Sequence, residues 1–286
     1  MGTKNFIVDS LPTYVAENKD MLIKNFALIG GGMRKRVSVQ TGVKSVAPIN
    51  LLEIDPTFQA GGDCAFTPQG TATLTQRNIV TTPLKVNLEI CPQTLRGKYA
   101  EYLISMNAAE HELPFEAYVM EGLLNSINKK IEEEFWTKFA TAAADAETAT
   151  KGADVYETIK NVYMALPEEV LERGAEIYVS PANFRAFLQA LVEKNFYHYA
   201  SATEATPNEF YFPGSDAKVV KAPGLAETAI YGTFAKNIYY GCDMENDAEV
   251  IDLWWSKDDR VFKLAAEWNM GVQVAFPNMV VAASLA

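Results

Sequence analysis

The chain has 286 residues, of which 49% are hydrophobic and 21% are charged, a composition that fits one large globular domain or two modest ones. Its net charge of −11 argues against a dedicated DNA-binding protein. It has no apolar run of the roughly 20 residues that a membrane-spanning helix requires, and its first residues lack the apolar segment of a signal peptide.

The charge is distributed unevenly along the chain. Residues 1–50 carry seven Lys/Arg and three Asp/Glu, a net charge of +4, whereas the remainder carries eighteen and thirty-three, a net charge of −15. The basic end predicts an arm that crosses an acidic neighbour or faces nucleic acid. The alternative is a mobile, solvated arm on an acidic domain. We take Arg34, Lys35 and Arg36 as its candidate contact residues.

The first 44 residues show a short helical pattern that ends at Gly30-Gly31-Gly32. No Lys-Ser/Thr follows the glycines, so they form no phosphate-binding loop, and we interpret them as a hinge. Elsewhere the three cysteines, Cys64, Cys91 and Cys242, are widely spaced and fit no zinc pattern. We expect them to be reduced thiols in a cytoplasm.

Residues 45–84 are rich in Pro and Thr and alternate with a period of about two on either side of Gly61-Gly62-Asp63. This pattern predicts a long β-hairpin. The segment has too few large apolar residues to bury both faces, so it must lie on other structure. It could pack on its own subunit, but its length and polarity favour a neighbour. Asp63 and Arg77 are its candidate interface residues.

An amphipathic helix is predicted from Pro114 to about Ala142, because apolar residues recur every fourth position from Phe115 to Phe139. A weaker helical pattern covers residues 96–112. We interpret the apolar stripe as core packing, and the Ala- and Thr-rich segment that follows as a linker.

From residue 153 the pattern is mixed α/β. We predict a helix over 153–172, a buried strand from Glu176, and a helix capped by Ser180 with Pro181 in its first turn. Short strands follow near 217–221, 228–233 and 237–242. A strand over 249–255 then leads to a charged turn at 257–259, a long extended run and Pro277.

The residues that could take part in catalysis do not form a recognisable active-site motif. His111 lies in a partial zinc-protease motif whose second histidine position is Phe115, and His198 lies among aromatic residues. Asp258 and Asp259 are better explained by a tight turn than by a cation site. We therefore expect no enzyme activity, no metal and no cofactor.

The order of these parts resembles the major capsid proteins of tailed bacteriophages, the family of phage Hong Kong 97. The local match lies in Glu176–Phe187 and in the closing residues 256–286. The resemblance implies an α+β Hong Kong 97-like fold. Its parts would be an N-terminal arm (1–44), an E-loop hairpin (45–84), a P domain with a spine helix (85–152), an A domain (153–246) and the closing P-domain strands (247–286).

The resemblance also implies a function and partners. The chain would self-assemble, as hexamers and pentamers, into the icosahedral shell that encloses double-stranded phage DNA without sequence specificity. It would be a virion protein assembled in the host bacterial cytoplasm, with a portal, decoration proteins and a separate scaffolding protein, because Met1 directly precedes the arm. Residues 45–84 contain no lysine, and Arg260 stands where the name-giving relative has its cross-linked asparagine. Glu267 stands at the position of the glutamate that assists this cross-link in the relative. Because the lysine and the asparagine are missing here, we interpret Glu267 as structural and expect no covalent cross-links.

Two alternatives stay open. An encapsulin-type compartment would share the fold, although residues 1–30 lack the cargo-recruiting motif expected there. An α+β enzyme of unknown reaction is the other, and the missing catalytic set weighs against it.

Overall fold

The computed structural model describes residues 17, 33, 35–58, 70–91, 115–195, 208–243 and 252–285. Within these ranges the fold comprises three β-sheets and four α-helices. Apart from Glu17, which is helical, the residues of the two helical patterns predicted in 1–30 and 96–112 lie outside the described residues.

A five-stranded sheet is built around the long strand β12 (Val261–Val274). In its first half, from Phe262 to Trp268, every second residue is buried, as expected for a strand with one face on a core. Four further strands belong to this sheet: β1 (Ser38–Thr41), β4 (Thr82–Ile90), β10 (Ile238–Cys242) and β11 (Asp252–Ser256). β4 pairs antiparallel with one side of β12, β10 and β11 pair antiparallel with the other side, and β1 extends the sheet by pairing parallel with β10.

Two predictions are refined by this sheet. The last residues of the predicted arm form β1, so they belong to the body of the subunit rather than to a mobile segment. The strand predicted over 249–255 is described from Asp252 and ends at Ser256, while residues 244–251 lie outside the described part.

The long helix α1 (Phe115–Ala142) matches the predicted span of 114–142. Ile127, Ile131 and Phe135 are buried in one cluster with inward side chains of β12 such as Phe262 and Leu264. Burying each such side chain contributes about 1.5–3 kcal/mol relative to its exposure to water. The predicted role of the stripe in core packing is confirmed.

A six-stranded sheet follows α1 in the chain. Its strands are β5 (Glu147–Thr148), β6 (Ala175–Val179), β7 (Glu209–Tyr211), β8 (Lys218–Lys221), β9 (Ala229–Phe234) and β13 (Val281–Ser284), and a 3-10 turn (Pro277–Met279) precedes β13. Their order in the sheet is β5-β13-β9-β6-β8-β7. One face of the sheet meets α1 through Tyr178 and Tyr231, and the other is covered by helices. The helices are α2 (Val155–Ala165), α3 (Glu168–Glu172) and α4 (Pro181–Glu193).

The prediction of a single helix over 153–172 is wrong. The chain leaves the helical conformation at Leu166, whose ψ is 134°, and α3 starts after Pro167. Proline disfavours the helical conformation in the residue before it, so Pro167 separates the two helices. The cap of α4 is confirmed, because the Ser180 side chain accepts a hydrogen bond from the backbone N–H of Asn183.

A close backbone contact joins α1 to the loop after β8. The Trp136 Nε1–H donates to the Pro223 carbonyl oxygen over 3.1 Å. Gly224 has φ +80°, and a Cβ there would stand 2.6 Å from the backbone carbonyl carbon of Glu132. Only glycine satisfies both the left-handed conformation and this approach. The contact fixes α1 against the six-stranded sheet.

We expect Gly224→Ala to destabilise the subunit more than Gly214→Ala does. Both glycines have a positive φ, but a Cβ at Gly214 would meet nothing within 4 Å. The difference between the variants therefore measures the collision with α1, about 2 kcal/mol, or roughly 4 °C or more in Tm. Thermal unfolding followed by circular dichroism gives both values. Equal losses in the two variants would show that the loop yields without cost.

Candidate assembly surface

The described residues contain no cluster of candidate metal ligands. No group of three or more His, Cys, Asp or Glu side chains within them could hold a metal ion. His111 and His198 lie outside the described part. No helix in the described ranges is both long and apolar enough to cross a membrane. Within the described ranges, the hairpin presents exposed apolar side chains that call for a partner.

The hairpin forms as the sequence predicts. Strands β2 (Val46–Pro56) and β3 (Gly70–Val80) pair antiparallel over their full length, from Val46 opposite Val80 to Pro56 opposite Gly70. Eleven residues per strand correspond to a length of roughly 35 Å. The predicted turn with Asp63 lies outside the described residues.

The base of the hairpin is anchored on its own subunit. Ile79 is fully buried and packs with Ile49 and Ala275. The sheet makes room for Ile79 with two glycines: a Cβ at Gly241 or Gly271 would stand 2.8 or 3.0 Å from its Cγ2 atom. The sequence carries a signal for this site, because glycine inside a strand indicates a close approach of other structure.

Hydrogen bonds continue this anchor to the end of β12. The Gln273 Nε2–H donates to the Asn78 carbonyl oxygen over 3.0 Å, and the Arg77 Nη1–H donates to the Val274 carbonyl oxygen over 3.1 Å. Arg77 also lies 3.9 Å from the Asp145 carboxylate, measured between Nη2 and Oδ2. These contacts of Arg77, a predicted interface residue, are therefore within its own chain.

Beyond Arg77 only Leu51, opposite Thr75, is half-buried against the body, and the other described side chains of the hairpin are exposed. Leu52 and Ile54 are each 60% exposed, and Leu74 is 71% exposed. A cleft of about 870 Å³ opens between this part of the hairpin and the body, where Glu169, Arg173 and residues 275–279 line it. The hairpin thus fits the prediction that it has no core of its own, with a base on its own subunit and a distal part without support.

The residues of the basic cluster in the arm have different environments in the structure. Arg36 forms ion pairs with Glu176 of β6 and Glu209 of β7, and the side chains of Arg36 and Glu176 are 14% and 9% exposed. Lys35 is exposed, and Arg34 lies outside the described residues. The acidic partner of Arg36 is thus a pair of carboxylates in the same subunit. The sequence gives no sign of this pairing, because the charges are 140 and 173 positions apart.

A buried tyrosine extends this charged network. The Tyr178 hydroxyl donates to Glu176 Oε2 over 2.7 Å. Burial, together with the neighbouring Glu176 carboxylate, raises the pKa of Tyr178 well above its usual value, so the hydroxyl keeps its proton and remains a donor. The network therefore fastens the end of the arm to the six-stranded sheet.

We expect Arg36→Gln to lower stability markedly. The change leaves Glu176 without its cationic partner in a nearly buried position, which costs about 3 kcal/mol, or roughly 6 °C or more in Tm. Lys35→Gln is the matched control: it removes the same charge from an exposed neighbour, and such surface changes stay within about 0.5 kcal/mol. Thermal unfolding of the two variants tests this. Similar losses in both would mean that the Arg36 pairs add no stability.

The charged turn between β11 and β12 is tight, as predicted. Asp259 Oδ2 accepts hydrogen bonds from the Ser256 hydroxyl and the Lys263 ammonium group. These bonds lower the pKa of Asp259, the one from Lys263 most strongly. Lys263 also lies 3.9 Å from Glu89 of β4. Lys257 and Arg260 of the same turn are exposed, and Arg260 has φ +57°.

Comparison with known proteins gives no match by sequence and many by structure. No family model matches the chain, and no curated protein matches it significantly. The procapsid of satellite phage P4, which includes a size determination protein, aligns with a TM-score of 0.61 at 10% identity over 99% of this chain and 98% of that chain. The capsid of cyanophage P-SCSP1u aligns with a TM-score of 0.53 at 11% identity over 91% and 90%. A virus-like particle from Pyrococcus furiosus aligns with a TM-score of 0.53 at 8% identity over 97% and 99%.

These likenesses extend along nearly the whole chain at identities that carry the fold alone. The protein has the α+β Hong Kong 97-like capsid fold, as the order of its sequence elements predicted.

Proposed function

We propose that this chain is the major capsid protein of a tailed bacteriophage and self-assembles into the icosahedral shell around the phage genome. The observation that carries the proposal is the distal hairpin, which extends from the body with Leu52, Ile54 and Leu74 exposed. Such apolar surface on a projecting element is stabilised when a neighbouring copy covers it. A fold that occurs in phage capsids supports the same function.

The proposed assembly consists of hexamers and pentamers held by many weak contacts, which act together in a closed shell. The proposed partners are a scaffolding protein, a portal, decoration proteins and double-stranded DNA bound without sequence specificity. We propose that the protein is part of the virion and assembles in the host cytoplasm. We propose the domain boundaries given by the sequence: arm 1–44, E-loop 45–84, P domain 85–152, A domain 153–246 and closing strands 247–286.

An encapsulin-type compartment is the second candidate, because the virus-like particle from Pyrococcus furiosus aligns with almost the entire chain. The two functions differ in what the shell encloses. A capsid protein expressed with its genomic neighbours encloses DNA and lies beside portal and terminase genes, whereas an encapsulin encloses a cargo protein. Nuclease-protected DNA in purified particles supports the first function, and a stoichiometric protein cargo supports the second.

Electron microscopy of the purified chain tests self-assembly. We expect rings of five or six subunits, sheets or closed shells, with larger assemblies when a scaffolding protein is co-expressed. Sedimentation velocity over a wide concentration range gives the state in solution. A chain that remains monomeric at high concentration, with and without scaffold, would overturn the proposal.

We expect mature particles to contain no covalent links between subunits. The cross-linking set of the name-giving relative needs a lysine in the hairpin segment, and residues 45–84 contain none. Particles boiled in denaturant and reductant should release a single band near the chain mass of 31.6 kDa. A ladder of resistant multimers on the gel would disprove this.

A further inference from the structure

Two neighbouring strands pass side by side from one sheet of this protein to the other. In the five-stranded sheet β10 pairs with β12, as far as Ile238 opposite Val274. The chain connects these strands to β9 and β13 of the six-stranded sheet, which pair from Gly232 opposite Val281. The two connecting segments are residues 233–237 and 275–280, and we call them the junction. The angle between the two sheets therefore depends on the conformation of the junction.

The side chain of Asn237 binds the two segments of the junction to each other. Its Oδ1 accepts a hydrogen bond from the Phe276 backbone N–H over 2.9 Å, and its Nδ2–H donates to the Phe276 carbonyl oxygen over 3.0 Å. Nδ2 also donates to the Thr233 hydroxyl over 2.9 Å, and that hydroxyl donates to the Met279 carbonyl oxygen over 3.0 Å. Asn237 and Thr233 are both fully buried. The amide thus bonds Phe276 as the peptide group of a neighbouring strand would.

The end of the arm is bound to the same place. The Lys236 backbone N–H donates to the Arg36 carbonyl oxygen over 2.7 Å, and the Ser38 hydroxyl donates to the Lys236 carbonyl oxygen over 3.3 Å. Ser38 begins β1 of the five-stranded sheet, whereas the Arg36 side chain pairs with carboxylates of the six-stranded sheet. A third segment therefore passes between the sheets and shares hydrogen bonds with the junction.

These hydrogen bonds constrain the angle between the sheets more strictly than apolar packing does. The helix α1 also packs on both sheets, but apolar packing is non-directional and permits α1 to roll or slide. A hydrogen bond weakens steeply when its donor and acceptor move out of line. Tilting one sheet against the other would bend or break the bonds of Asn237 and would leave buried polar groups without partners, which is costly.

We infer that Asn237 locks the two sheets into one rigid body and thereby gives the assembled particles a uniform curvature. Asn237 is a positioning residue, because it is buried within its own subunit and acts through the angle between the sheets. This inference rests on the proposed self-assembly and names the residue that holds the subunit in one shape. A closed assembly forms when every contact repeats the same rotation, and a subunit of fixed shape provides this repetition.

Two variants of the junction and one matched control test the inference. Asn237→Ala removes the amide, and Thr233→Val removes only the hydroxyl and keeps a side chain of similar shape. The control is Asn183→Ala. Asn183 is also a buried asparagine, and its Nδ2–H donates to the Glu227 carbonyl oxygen over 2.6 Å, but it lies at the start of α4, away from the junction. The control therefore reports the loss of a buried amide without a change at the junction.

Hydrogen exchange of the soluble, unassembled chain measures the lock itself. In Asn237→Ala the backbone amides of residues 275–280 should exchange about tenfold faster than in the wild type, because a buried hydrogen bond is lost there. Exchange in this segment should stay close to that of the wild type in Asn183→Ala.

Electron microscopy of assembled particles measures the curvature, under the same conditions and with the same scaffolding protein for every chain. The wild type and Asn183→Ala should form particles of one diameter. Asn237→Ala and Thr233→Val should form particles of several diameters or open sheets. Thermal unfolding is measured alongside, because a purely structural role would lower Tm in Asn237→Ala and Asn183→Ala alike and leave the diameter unchanged.

The outcomes separate this inference from the proposed function. A wild-type chain that does not assemble overturns the proposed function and the role in curvature, while the exchange measurement still decides whether Asn237 locks the sheets. Unchanged exchange at residues 275–280, or particles as uniform as those of Asn183→Ala, overturns the inference and leaves the shell function standing. If Asn237→Ala does not fold, Thr233→Val decides by the same two measurements. Faster exchange together with non-uniform particles supports the inference.

Discussion

Shortening the hairpin is expected to abolish shell formation while the subunit stays folded. The variant joins Leu51 to Thr75, which are paired in the hairpin, through an Asn-Gly turn. It keeps Ile49, Arg77 and Ile79, which hold the base on the body, and removes residues 52–74. The described side chains that it deletes are exposed, so little core packing is lost and Tm should change by only a few degrees.

The measurement combines thermal unfolding with electron microscopy of the purified variant. The full-length chain at the same concentration is the control for assembly. Met164→Ser, which removes a 72% exposed apolar side chain from α2, controls for the loss of exposed apolar surface alone. Normal shells from the shortened chain would show that the distal hairpin has no part in assembly. Loss of cooperative unfolding would show instead that the hairpin belongs to the core.

Ile127→Asp is expected to leave little soluble protein. Ile127 is 5% exposed and lies in the cluster that joins α1 to β12. The change removes its buried methyl groups and places a carboxylate there without a partner, at a cost of about 4 kcal/mol or more. This is a large share of the 5–15 kcal/mol by which domains are typically stable.

Ser126→Asp is the matched control, because it adds the same charge at the preceding, exposed position of α1. Soluble yield and Tm should fall sharply for Ile127→Asp and change little for Ser126→Asp. Ile127→Ala should be intermediate, since it leaves a cavity without a charge. Equal yields for the two aspartate variants would show that this face of α1 does not need to be apolar.

The regular elements were largely predictable because their signals are local. The four-residue apolar period gave α1 to within one residue, and Ser180 with Pro181 marked the start of α4. The period of two around the Gly-Gly-Asp turn gave the hairpin. The prediction of one helix over 153–172 was wrong, although Pro167 indicated a break. A proline disfavours the helical conformation of the residue before it, here Leu166, and this effect is also local.

The contacts that position the assembly surface were not predictable in the same way. Arg36 joins Glu176 and Glu209 across 140 and 173 positions of sequence, and Ile79 fits between glycines of β10 and β12. Charge counts placed Arg36 in a basic arm but could not select its partners. Strand glycines signal a close approach, but they do not say which side chain approaches.

The sequence by itself determined most of the helices, strands and turns, the order of these elements, and that the hairpin has no core of its own. These properties follow from propensities and periodicities within a few turns of chain. Only the tertiary structure decided that the base of the hairpin is held by its own subunit, that Leu52, Ile54 and Leu74 are left exposed, and that Arg36 pairs with Glu176 and Glu209. The reason is physical: burial and the direction of a strand depend on packing between residues that are distant in sequence, and no local pattern encodes that packing.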